Sequence, residues 1–141
     1  MDEAIPQMQP LVSAETMIVP LLNGIEHADS LQSAFGREHV AGGLCRISSF
    51  VAGAGYIRHV GNSPFIAFGE LDNRKSARIE ELKTAFTKLS GITVETPADI
   101  EFAMWEKYLM ICAFSGVGAV TRQPAGVFRA GSLSTSDKCP C

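Results

Sequence analysis

This chain of 141 residues has no apolar run near the roughly 18 residues that a membrane-spanning helix needs, so no membrane partner is expected. Basic blocks are missing too. Net charge is −3, with 12 Lys and Arg against 15 Asp and Glu, which argues against a nucleic-acid partner. The N-terminal stretch MDEAIPQMQP is acidic and lacks the apolar region of a signal peptide, so a cytoplasmic protein is expected. Cysteine is scarce, with four in all. Cys45 and Cys112 lie in apolar stretches and read as reduced core residues. Cys139 and Cys141 form a terminal CPC, too few ligands for zinc, so no metal site is expected. The small, polar residues 131–141 read as a loose tail. One further absence bears on function. The motif G-x-G-x-x-G, placed between a strand and a helix, lets a dinucleotide pyrophosphate approach the helix N-terminus. Here Gly53-Ala54-Gly55 falls between strands and Gly116-Val117-Gly118 falls within or after a helix. Neither has the required context.

What is present is globular in character. Apolar residues make up 46% and charged residues 19%, which does not suit a disordered chain. The pattern predicts a helix within 3–14, limited by Pro6 and Pro10. Residues 17–22 (MIVPLL) read as a short buried strand, although Pro20 would remove a ladder bond. A helix over 24–35 follows, with Leu31, Ala34 and Phe35 inward. Strands are expected at 40–51, 56–60 and 65–71, antiparallel because their connections are short. A hairpin turn is expected at 52–55. After a polar turn at 72–76, residues 75–89 carry Ile79, Leu82, Phe86 and Leu89 at helical spacing. A last strand is expected at 92–95. Thr96-Pro97-Ala98-Asp99 then combines an N-cap, an N1 proline and a carboxylate for the helix dipole. A long helix should begin there and run to about 114 or beyond. The order reads as α/β followed by all-α, with a boundary near 96–98.

Two residues carry possible chemistry. Asn23 can cap the helix that follows, since Asn23 and Glu26 match the capping-box spacing. Alternatively, it sits where ligands of open α/β sheets bind, at the carboxyl end of a strand. Its amide can donate and accept at once. Lys107 is the sharper signal. Three, four and seven residues away on a helix lie Ile100, Ala103, Met104, Met110, Ile111 and Phe114. A lysine in that stripe either snorkels to solvent or is held for a task. Desolvation would lower its pKa and suit it to proton transfer. His59 reads as a structural histidine on a strand, and His27 and His39 as surface residues near helix ends. Phe102, Trp105 and Tyr108 read as core or domain-interface packing.

Three stretches taken together resemble the ketopantoate reductases (2-dehydropantoate 2-reductases). They are PLLNG at 20–24, IRHVGN at 57–62 and WEKYLMICAFSGVGAVTR at 105–122. The resemblance extends over about 2–129. It implies the C-terminal part of a Rossmann-like NADP-binding domain at 1–96 and the start of a helical substrate and dimerisation domain at 97–130. The glycine-rich loop and the late acidic and hydroxyl residues of the family would lie before Met1 and after Cys141. The implied reaction is NADPH-dependent reduction of 2-dehydropantoate to (R)-pantoate in pantothenate and coenzyme A biosynthesis, in a full-length protein that forms a homodimer. By the same resemblance Lys107 is the general acid, and Asn23 and Gly24 lie beside the nicotinamide and substrate. Ser49 lies on a strand that passes near the nicotinamide. Many family members carry an Asn one helical turn after the lysine. Here that position is Ile111, and Ser115 could take its part. That departure leaves open a reductase of another 2-keto acid. The missing loop leaves open a non-catalytic fragment or interaction module.

Overall fold

Two strands can run parallel only when something long enough joins them, and a helix does so here. The computed structural model describes residues 1–123 together with Gly126 and Val127. The expected tail at 131–141, with Cys139 and Cys141, lies outside the described residues. Met1–Lys107 forms one compact unit and Tyr108–Cys141 another. The helices are α1 (Ala4–Met8), α2 (His27–Phe35), α3 (Ala77–Thr87) and α4 (Ile100–Thr121). The strands are β1 (Gly42–Arg46), β2 (Ser49–Gly53), β3 (Tyr56–His59), β4 (Phe65–Gly69) and β5 (Thr93–Glu95). The chain is thus mixed α/β, as expected.

The main sheet has the order β1-β4-β5. β1 and β4 are antiparallel, with Leu44 opposite Ala67. β4 and β5 are parallel, with Ile66 opposite Val94, and α3 forms the crossover between them. Ser76 starts α3 by accepting from Ile79 N at 3.4 Å. One face of the sheet buries Phe68, Ala41, Ile66 and Ile79. The other buries Leu44 and Ala67 against Ile100 and Met104 of α4. β2 and β3 form a separate hairpin whose residues are all exposed. Its expected turn is present, with a register shift between Val51 and Gly53 and a positive φ at Gly55.

Several expectations are corrected. The single strand foreseen over 40–51 is two strands in different sheets, broken at Ile47 and Ser48. Their side chains face different surroundings, largely buried on β1 and exposed on β2. The strand foreseen at 17–22 is reduced to one parallel bridge between Ile18 and Val40. Pro20 cannot donate to a ladder, and its carbonyl would lie 2.7 Å from a Cβ placed on Gly43. The helix within 3–14 is α1 followed by a 3-10 turn that contains Pro10. α4 begins later than foreseen and runs beyond 114. Its cap is Asp99, whose Oδ1 accepts from Phe102 N at 2.8 Å. Thr96 instead accepts from Lys83 Nζ at 3.2 Å. Cys112 is exposed rather than in the core. Phe102 and Trp105 are exposed as well, which removes the core reading and leaves the domain-interface one.

Candidate active site

The position of Lys107 follows from how α4 is seated. Gly42 on β1 and Gly69 on β4 are paired residues. A Cβ on Gly42 would lie 2.8 Å from Ile100, and one on Gly69 would lie 3.2 Å from it. The two glycines therefore let the first turn of α4 rest directly on the sheet. Ile100 is fully buried there. Its amide donates to Asn73 Oδ1 at 3.2 Å, and Asn73 adopts the left-handed conformation with φ of 60°. Met104 and Lys107 lie four and seven residues further on, along the same helix face.

Lys107 is thereby held in the interior. It is 6% exposed, and its Nζ has no hydrogen-bond partner among the described residues. The snorkelling alternative is not realised. Burial pushes its pKa below the ordinary lysine value, with smaller effects from Cys45, which raises it, and Arg46, which lowers it. Arg46 itself is engaged elsewhere. It donates to Glu106 Oε2 at 3.3 Å and lies 5.5 Å from the centre of the Phe65 ring. The lysine is a buried amine without a carboxylate partner, and such a group is suited to giving up a proton.

Asn23 and Gly24 lie in the loop that enters α2. Asn23 is exposed and its side chain makes no hydrogen bond among the described residues. α2 starts at His27 with Glu26 as its uncapped N-cap, so the capping box is not formed. Gly24 has a φ of 100°, and nothing lies within 4 Å of a Cβ placed on it. The loop thus offers a free amide and open backbone. Ile25, next in the chain, packs on the cluster of Leu44, Ala67, Ile100 and Met104. The same apolar cluster therefore fixes both the Asn23 loop and the face of α4 that carries Lys107.

His27 is the residue that sequence reasoning misplaced. It is 6% exposed rather than at the surface, and its Nε2 has no partner. Its pKa is lowered, first by burial and then by the charge of Lys107. The signal that could have found it is its spacing, four residues after Asn23 at the first position of the helix. His39 is half-buried, and its ring donates to Thr16 O at 2.8 Å. His59 is exposed on β3 and donates to Asn62 O at 3.0 Å. Ser49 is exposed on the separate hairpin and makes no side-chain hydrogen bond among the described residues. Ser115 is exposed on α4 within the second unit. Among the described residues no cluster of three metal-ligating side chains occurs. No described helix is long and apolar enough to cross a membrane.

Two clefts adjoin this region. The larger, about 560 Å³, has Arg37, Glu38, Glu70, Asp72 and Arg74 in its wall. Its charges are mostly matched within the fold. Arg78 donates to Glu70 Oε1 at 2.6 Å, and Arg74 lies 3.6 Å from Asp72. The smaller, about 240 Å³, lies between α2 and α4, with Ile25, Ala28, Met104 and Trp105 in its wall. Size favours the first, but the unpaired buried nitrogens are on the elements that form the second.

Comparison with known proteins gives these features a context. An uncharacterized oxidoreductase of Bacillus subtilis, YkpB, is 36% identical over 126 residues, covering 88% of this chain and 41% of that protein. The crystal structure of 2-dehydropantoate 2-reductase from Geobacter metallireducens matches with a TM-score of 0.79 at 32% identity, covering 92% of this chain and 44% of that one. D-mandelate dehydrogenase, in a complex with NADH, shares the fold with a TM-score of 0.76 at 20% identity, over 86% of this chain and 40% of that one. The chain thus spans less than half the length of each of these proteins. The family model described as ketopantoate reductase PanE/ApbA matches residues 1–73, just over half of the chain, and the protein belongs to that family of oxidoreductases.

Proposed function

We propose that this chain supplies the proton-donating side of a cytoplasmic, NADPH-dependent reductase that converts 2-dehydropantoate to (R)-pantoate for pantothenate and coenzyme A biosynthesis. The observation that carries this reading is the buried, unpartnered amine of Lys107. When a carbonyl is reduced, negative charge develops on its oxygen. A donor fixed at that oxygen lowers the barrier, and a desolvated lysine gives its proton more readily than a solvated one. The Lys107 N–H bond breaks, the O–H bond of the hydroxy acid forms, and the amine regains a proton from water. Asn23, with Gly24 open beside it, fits the nicotinamide and substrate end of the dinucleotide. No described residue of this chain fits the pyrophosphate, because no glycine-rich turn opens a helix. The bound dinucleotide would supply the hydride.

Support comes from the family membership, from the Geobacter reductase at 32% identity, and from the free Asn23 amide. The test is a steady-state assay of the protein made from the longest reading frame that carries this sequence. 2-Dehydropantoate should be turned over faster than other 2-keto acids, and NADPH used in preference to NADH. Faster turnover of another keto acid would overturn the substrate assignment.

A second reading is a reductase of a different 2-keto acid. Ile111 favours it, because it stands where many relatives place a substrate-holding Asn. The fold shared with D-mandelate dehydrogenase is compatible with it. The same assay separates the two.

A further inference from the structure

Three histidines are present, and two have a ring nitrogen hydrogen-bonded to a backbone carbonyl. His39 has Thr16 O and His59 has Asn62 O. His27 differs. Its Nε2 is fully buried and unpartnered, and the same is true of Lys107 Nζ. Buried polar groups are nearly always hydrogen-bonded, so an orphan calls for an explanation. Here two orphans occur on elements held by one apolar cluster. Ile25 brings the start of α2 onto Leu44, Ala67, Ile100 and Met104, and Met104 lies on the Lys107 face of α4. The two side chains are also within electrostatic reach of each other.

The chemistry of a shared partner is restricted. A cation would be repelled by Lys107, and an apolar group would leave both nitrogens unsatisfied. A group with several acceptor oxygens satisfies both, since an ammonium and an imidazole N–H are donors. We propose that His27 is a second substrate-binding residue, whose Nε2–H and Lys107 Nζ together hold the oxygens of one 2-oxo carboxylate. This rests on the reading of Lys107 as proton donor to such a substrate. Burial and the neighbouring lysine both hold His27 in its neutral form, which can carry the proton on Nε2 while adding no second charge.

The test uses His27→Leu and His27→Gln in the protein made from the longest reading frame that carries this sequence. Leucine removes the donor, and glutamine returns an N–H near the place of Nε2. His27→Leu should raise KM for 2-dehydropantoate roughly 10- to 100-fold, as for loss of one hydrogen bond to an anion, with a smaller effect on kcat. KM for NADPH should hold, and His27→Gln should recover part of the loss. An unchanged KM in His27→Leu overturns the proposal, even where Lys107→Ala abolishes turnover. A raised KM beside an active Lys107→Ala variant supports His27 as a binder and sinks the proton-donor reading instead. Should His27→Leu fail to fold, nitrogen NMR of the unsubstituted protein decides. Titration with 2-dehydropantoate should shift the His27 Nε2 resonance. A resonance that stays fixed up to millimolar 2-dehydropantoate overturns the proposal and assigns the orphan to water. An equal shift with inorganic sulfate overturns the 2-oxo acid assignment.

Discussion

His27 lies within electrostatic reach of Lys107, and both side chains are buried with a nitrogen left unpartnered. Neither can be explained by stability. Each group is kept from water without a compensating hydrogen bond, at a cost of about 1–3 kcal/mol for a typical orphan. Such groups in a native fold call for an explanation, a catalytic role, a bound ligand or an ordered water among them.

Replacing the lysine tests both halves of that statement. Lys107→Ala should lower kcat by roughly 10²- to 10⁴-fold, the usual loss for a general acid, while NADPH affinity changes little. Lys107→Met should be inactive and yet more stable, because it keeps the packing and removes the buried amine. A thermal midpoint raised by several degrees together with lost turnover is the expected pair of results. Near-normal kcat in a folded variant would end the catalytic assignment.

Acid should weaken the fold in two stages. His27 has its folded pKa below the unfolded value of 6.5. Its stability contribution is therefore complete above that pH and declines as pH falls, because only the unfolded chain binds the proton readily. Glu70 is also lowered, from 4.5, chiefly by its hydrogen bond from Arg78. Its contribution is complete above 4.5 and is lost at more acid pH. Urea midpoints measured against pH should show both declines. His27→Leu should flatten the first, and Glu70→Gln the second. A first decline that persists in His27→Leu would mean another group causes it.

Capping of α4 gives a sharper local test. Asp99→Ala should cost about 1 kcal/mol, since it removes the oxygen that accepts from Phe102 N. Thr96→Ala should cost less, because it loses only the hydrogen bond from Lys83. Denaturant unfolding of the two variants orders them. The reverse order would return the cap to Thr96.

NADPH should bind the 141-residue chain weakly. The backbone N–H groups that seat a pyrophosphate need a glycine-rich turn at a helix N-terminus, and the described residues contain none. Calorimetric titration is the measurement. Tight, stoichiometric binding would show that another part of the chain, such as the larger polar cleft, takes the nucleotide.

Sequence alone determined whatever depends on near neighbours along the chain. The spacing of Ile79, Leu82 and Phe86 was enough for α3, because a helix repeats every 3.6 residues. Gly53-Ala54-Gly55 was enough for the hairpin. The apolar stripe around Lys107 was enough to mark this charge as unusual, since helical spacing alone puts its neighbours on one face. What the tertiary structure decided depends on residues far apart in the chain. Whether Lys107 snorkels turned on Gly42 and Gly69 bringing Ile100 onto the sheet. Asn23 and Glu26 had the spacing of a cap, but α2 begins too late to use it. Residues 40–51 looked like one strand because β-propensity does not show which sheet a residue joins. His27 was least legible of all. A polar residue at a helix start is usually solvated, whereas this one is buried two residues after Ile25, which packs on the Leu44, Ala67, Ile100 and Met104 cluster.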